Sequence, residues 1–184
     1  MLAAILMECP TEELVVADDV TLRDMAPGDV KVKIAHSGVC HSDLSAMNGT
    51  IPQAPPAVLG HEGAGVVTDV GDGVTHVVPG DHVIIAFSPP CGTCPFCTGR
   101  GQPNLCINGL IAMGSNPQFR RGDTVVGAMT GCGTFAEETI VPGMAAVKID
   151  KDVPLDVAAL VGCGVTTGVG AALNTAKVTP GSSV

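Results

Sequence analysis

Four cysteines crowded into one short stretch, Cys91-Gly-Thr-Cys94-Pro-Phe-Cys97 and then Cys106, constrain this chain more than any other feature of it. A tetrahedral zinc ion needs four converging soft donors, and closely spaced thiolates on a turn-rich segment supply three of them at little cost in chain ordering. Cys106 closes the cage. Four protein sulfurs leave no open coordination position, so a zinc ion here would be structural, stapling a loop with few apolar residues of its own. Two disulfides or an iron–sulfur cluster are the alternatives for such a set. The N-terminal run MLAAILMECPTEEL has no basic leader and meets acids at once. That pattern is expected of a cytoplasmic protein and of neither a secretory signal nor a transit peptide. In a reducing compartment eight cysteines stay unpaired, and their spacing then points to metal or catalysis.

Charge excludes some partners. Eighteen acids against 9 bases give a net charge of −9, and Arg120-Arg121 is the only basic pair, so no footprint for nucleic acid or an anionic membrane is expected. A chain of 184 residues, 46% of them hydrophobic, can bury one substantial core but is marginal for two complete domains. The 24 Gly and 14 Pro follow no collagen-like period, and the chain is too apolar for disorder, which leaves a turn-rich, mainly β fold with a few helices.

Strand-like runs lie at residues 2–7, 30–35, 65–70, 82–87, 134–141 and 145–149. Pro27-Gly28-Asp29 and Pro79-Gly80-Asp81 are turn signals that feed two of them. Helical character starts near Asp152, where Pro154 opens LDVAALV. Residues 157–176 carry no charge, yet their Gly, Thr and Asn predict a buried helical segment and not a membrane span. The expected architecture is an irregular β-barrel over residues 1–152, followed at 153–184 by a helical connection and the start of a further unit.

A second constellation is dispersed: Cys40-His41-Ser42-Asp43, then Gly60-His61-Glu62, then Gly162-Cys163-Gly164. Spacing alone does not bring these together in space, and each Cys or His has a buried structural role as its alternative. With Gly38-Val39-Cys40-His41-Ser42-Asp43, Leu59-Gly60-His61-Glu62-Gly63-Ala64-Gly65, the four-cysteine loop, Gly133-Thr134-Phe135-Ala136-Glu137 and Gly162-Cys163-Gly164 in that order, the chain resembles zinc-dependent medium-chain alcohol dehydrogenases along almost its whole length.

The resemblance implies a GroES-like irregular β-barrel catalytic domain with two zinc ions and hydride transfer between a zinc-bound alkoxide and NAD or NADP. It implies that Cys40, His61 and Cys163 bind the catalytic zinc, and that Cys91, Cys94, Cys97 and Cys106 bind the structural one. Asp43 matches an acid that orients the histidine ligand. Glu62 matches a residue beside the zinc, either a transient ligand or a nearby charge. Ser42 matches the hydroxyl that accepts the alcohol proton, with a helix N-cap as its alternative. His41 matches a contact to the cofactor pyrophosphate and Thr167 one near the nicotinamide; ordinary surface or helix polarity is the alternative for both. Phe87 matches a wall of the substrate pocket, against core packing. Cys9 and Cys132 match nothing and are expected to be free thiols.

The chain departs from the pattern in three places. Ser45 stands where many relatives continue the proton relay with a histidine. Eight residues separate Cys97 from Cys106, one more than the family's usual gap, so a bulge is expected there. The chain also stops where the family's Rossmann domain begins its first strand, so that domain is expected to be missing and the chain inactive alone, although the full-length parent would be a homo-oligomer acting on a small alcohol or aldehyde. Gly131-Cys-Gly133-Thr-Phe-Ala136 runs into a β-like segment and is no dinucleotide turn. The rival readings are a non-enzymatic zinc-stabilised β-barrel module and a zinc-free quinone-reductase-like relative.

Overall fold

The computed structural model describes residues 1–109 and 117–184. Strands Ala3–Leu6 (β1), Val15–Ala17 (β2), Val20–Leu22 (β3), Ala57–Val58 (β5), Phe119–Arg121 (β8) and Thr124–Ala128 (β9) form a six-stranded sheet in the order β2-β1-β5-β9-β8-β3. Strands Asp29–Gly38 (β4), Glu62–Val70 (β6), His82–Ile85 (β7), Glu138–Pro142 (β10) and Ala146–Ile149 (β11) form a five-stranded sheet in the order β10-β4-β6-β7-β11. The short helices include His41–Met47 (α1), Pro95–Thr98 (α2), Leu155–Ala159 (α3) and Gly164–Gly170 (α4). As expected from the sequence, the chain is mainly β with a few helices.

Binary alternation explains the central strands. In DVKVKIAHSG, Val30 and Val32 point inward while Lys31 and Lys33 point out, and Val67, Val77, Val83, Ile85 and Val141 meet them in the larger core. Burial of each such side chain contributes roughly 1.5–3 kcal/mol. Ile5, Val20, Val58, Phe119 and Val126 fill a second core on the other sheet. A smaller cluster of Leu6, Ala46, Leu59 and Met129 seats α1 on the end of the barrel.

Residues 134–141 do not run as one strand. Ala136 makes an isolated bridge to Ala3 in the six-stranded sheet, whereas Glu138–Pro142 pairs with β4 in the other. The segment crosses between sheets, and the crossing consumes its first residues. Strands β2, β3, β5 and β8 are too short for a period of two to show in the sequence.

The expectation that residues 157–176 are buried is overturned. The segment is helical, through α3, a 3₁₀ turn at Leu160–Gly162, α4 and a π turn at Ala171–Thr175. Only Ala158 and Ala159 are buried, packed with Ala64 and Ile84; Val157, Leu160, Val165, Val169 and Leu173 are exposed, Leu173 by 60%. The inner side of α3 and the 3₁₀ turn after it lie on the barrel, whereas the apolar side chains of α4 and the π turn are exposed. No single helix among the described residues is long and apolar enough to cross a membrane. The pair Leu155–Gly162 and Gly164–Thr175, bent by 53°, meets that test only when taken together.

Candidate metal centres and active site

Strand β4 ends at Gly38 and β6 begins at Glu62, and the antiparallel register pairs these two residues. Cys40, just past one strand, and His61, just before the other, thereby become neighbours. Cys163 arrives from a third direction. Helix α3 lies on Ala64 and Ile84, and the 3₁₀ turn after it presses Gly162 against β7, where a Cβ would stand 2.7 Å from the Ile85 carbonyl oxygen. Only glycine allows so close an approach, and that approach sets Cys163 over the strand ends. One ligand atom each from Cys40, His61, Glu62 and Cys163 lies within 4.8 Å of all the others.

Asp43 ties two of these segments together. Cys40 is the N-cap of α1, and Asp43, buried in the first turn, accepts the Cys40 N–H at 2.9 Å and the Gly60 N–H at 3.0 Å. Its Oδ1 also stands 3.4 Å from His61 Nδ1, an ion-pair distance at which Nδ1 makes no formed hydrogen bond. Burial pulls the His61 pKa down, but the Asp43 carboxylate outweighs it and the pKa is raised. At Cys40 burial pushes the thiol up, and hydrogen bonds from the Ser42 backbone and hydroxyl and from His61 outweigh it, leaving the pKa lowered. Cys163 is pushed up to about 11, first by burial and then by the charges of Cys40 and Glu62. Two thiols and a carboxylate this close repel one another when ionised. A divalent cation among them relieves that conflict, so the donor set suits zinc.

The four loop cysteines suit it as well. Cys94 Sγ lies 3.6 Å from Cys97 Sγ and 3.8 Å from Cys106 Sγ. A disulfide would need about 2.05 Å, whereas a tetrahedron with Zn–S bonds of about 2.3 Å has edges of about 3.8 Å. Cys94 caps α2 with Pro95 at its first position, which turns Cys97 back toward Cys94. Cys91 Sγ accepts hydrogen bonds from the Thr93 and Cys94 amides and from Asn108. The Thr93 hydroxyl, then those amides, bring its pKa down to about 5, while burial holds Cys97 at about 11. A 3₁₀ turn at Pro103–Leu105 leads directly into Cys106.

The remaining sequence-predicted residues are divided. Ser42 Oγ is 3.6 Å from Cys40 Sγ, and because Cys40 holds the N-cap position, the alternative of Ser42 as the cap does not hold. Glu62 is buried beside Gly38, where any Cβ would collide with its carboxylate. Phe87 stands edge-on to His61 with ring centroids 6.0 Å apart and packs on the larger core, as the core-packing reading expects. His41 is exposed, its Nδ1 3.3 Å from the buried Ser45 hydroxyl. Thr167 is exposed on α4, joined to Cys163 only by its backbone N–H, 2.8 Å from the carbonyl oxygen. Cys9 and Cys132 lie outside both clusters, and burial pushes the Cys132 thiol up to about 12. Sequence reasoning missed Ser37, and any role for Gly38 and Thr134 beyond their places in motifs.

The alcohol dehydrogenase GroES-like domain family matches residues 26–151. The chain belongs to this family. The chain is 46% identical over 172 residues to the S-(hydroxymethyl)glutathione dehydrogenases of Escherichia coli O1:K1 / APEC and of Photobacterium damsela subsp. piscicida, an alignment covering 88% of this chain and 46% of each relative. It superimposes on an alcohol dehydrogenase zinc-binding domain protein from Burkholderia ambifaria with a TM-score of 0.88 at 31% identity, covering 99% of this chain and 50% of that one. Benzyl alcohol dehydrogenase from Acinetobacter calcoaceticus gives 0.84 at 32%, with the same coverage. The chain thus spans about half the length of the relatives it matches.

Proposed function

We propose that the chain is the catalytic part of a zinc-dependent alcohol dehydrogenase that oxidises an alcohol, or reduces an aldehyde, with NAD or NADP. The convergence of Cys40, His61 and Cys163 beside Glu62 within 4.8 Å carries this reading. Three protein ligands leave the open position that a catalytic zinc needs, whereas a purely structural module has no use for one. A zinc ion held there supplies a Lewis acid that lowers the pKa of a substrate hydroxyl. Ser42, 3.6 Å from Cys40 Sγ, relays the proton that the alcohol gives up, accepting it as its own hydroxyl proton passes on to water. Asp43 holds the backbone beside Cys40 and His61, and Phe87 walls the histidine from water. Glu62 stands ready as an exchangeable oxygen donor, and the loop cysteines hold a second zinc that staples residues 91–106.

Residues 1–152 form the catalytic unit in this reading, and 153–184 lead into a nucleotide-binding unit that brings the nicotinamide against the substrate carbon. His41 and Thr167, both exposed, face that unit and add fringe contacts to the cofactor. Hydride transfer depends on that positioning, so the domain alone does not turn over. The names S-(hydroxymethyl)glutathione dehydrogenase and benzyl alcohol dehydrogenase both describe substrates with a hydroxyl on a CH₂ carbon, which favours a primary alcohol.

Metal analysis tests the reading. The purified chain should hold two zinc ions, and Cys163→Ser or His61→Ala should hold one while keeping the barrel folded. Two ions retained in both variants would remove the mixed donor set as a metal site.

A further inference from the structure

The segment before His61 is fixed from a side that contributes no ligand. Gly60, at φ +88°, gives its N–H to Asp43 Oδ1 at 3.0 Å, while its carbonyl accepts the Thr134 N–H at 3.0 Å. Thr134 is buried, and its hydroxyl is 2.7 Å from that of Ser37, on β4 shortly before Cys40. Its methyl group occupies the space a Cβ on Gly63 would need, 2.5 Å away, and its hydroxyl lies 2.6 Å from a Cβ on Gly60. One side chain therefore spans both strand ends that present Cys40 and His61. The turn carrying Thr134 is itself latched: Gln118, fully buried, gives its side-chain amide to the Gly131 carbonyl at 2.5 Å, and the Thr139 hydroxyl donates to the Cys132 carbonyl at 2.6 Å. Thr130, Gly131 and Gly133 all take positive φ, so without these bonds the turn has little to hold its shape.

The geometry points to Thr134 as a positioning residue for the Cys40, His61, Cys163 site, acting with Ser37 as a clamp that sets the separation of Cys40 from His61. It rests on the proposed reading that this donor set holds zinc. The clamp acts through geometry: a metal site pays for misplaced ligands in affinity, and partners that orient ligands typically carry a factor of about 10–100. Removing the hydroxyl releases the Ser37 side of the clamp, whereas a serine at this position keeps it.

The test is competition of the zinc-loaded chain with a chelator, in wild type and in Thr134→Val, Thr134→Ser and Ser37→Ala. The four-cysteine site serves as an internal reference, and cobalt(II) substitution distinguishes the four-sulfur from the mixed environment by its ligand-field bands. Thr134→Val and Ser37→Ala should each weaken the mixed site by about ten-fold or more, leave the four-cysteine site within about two-fold, and shift the mixed site's cobalt bands. Thr134→Ser should restore wild-type values. Unchanged affinity and bands in both Thr134→Val and Ser37→Ala, or equal loss at the two sites in Ser37→Ala, would overturn the clamp while leaving the mixed site in place. A wild-type chain that loads metal only at the four-cysteine set would overturn the catalytic-site reading, and the clamp with it.

Discussion

Asp43 carries more of the candidate site than its place between Ser42 and Leu44 suggests. Its two oxygens take the Cys40 and Gly60 amides, and its charge raises the His61 pKa. Asn at this position keeps one acceptor and turns the other into a donor that faces a buried N–H. Asp43→Asn should therefore destabilise the fold by about 1–3 kcal/mol in urea denaturation. It should also return the His61 pKa toward its ordinary value, which histidine NMR titration of the metal-free protein would read. A variant with wild-type stability would mean that these two hydrogen bonds do not form in solution. At this scale the sequence was legible where chemistry is uncommon: a cysteine, a histidine and an acid in family-like motifs. Ser37 and Thr134 are as ordinary in sequence as any surface hydroxyl, and only their contact sets them apart.

Among the elements, the turn leading into β7 shows how charge holds strand to strand within one sheet. Asp81 accepts the Val78 N–H at 3.0 Å within its own turn and lies 2.7 Å from Lys148 Nζ on β11. The Lys148 ammonium, then the Val78 amide, depress the Asp81 pKa below its ordinary value of 3.8. A depressed carboxylate contributes stability above its ordinary value, and that contribution is lost as pH falls through the folded-state value. Asp81→Asn should accordingly melt below wild type at neutral pH, with the gap closing in acid below the ordinary value. A difference in Tm that stays constant from neutral pH into strong acid would contradict the ion pair. The Pro79-Gly80-Asp81 turn was legible because Pro and Gly limit backbone choice locally. The strand break at residues 134–137 was not, because it depends on which sheet each half of the segment joins.

Taken whole, the molecule concentrates exposed apolar side chains along its C-terminal helices. Val157, Leu160, Val165, Val169 and Leu173 are exposed together, more apolar surface on one segment than scattered surface residues account for. The purified chain should therefore associate as its concentration rises, and Val169→Glu with Leu173→Glu should suppress that association in sedimentation velocity. A wild-type chain that stays monomeric over the same range would show that these side chains find cover within the chain itself.

Sequence alone determined the mainly β class, the four-cysteine loop and the candidate ligands, because each rests on composition, on close spacing or on motifs that a short stretch carries by itself. Tertiary structure decided the rest. Cys40 and His61 meet only because β4 and β6 pair in a register that sets Gly38 opposite Glu62, and Cys163 joins them only because Gly162 has no Cβ to hold it off Ile85. Whether residues 157–176 are covered was likewise decided by the tertiary structure, since an apolar run records a preference for burial and not the presence of a surface that satisfies it.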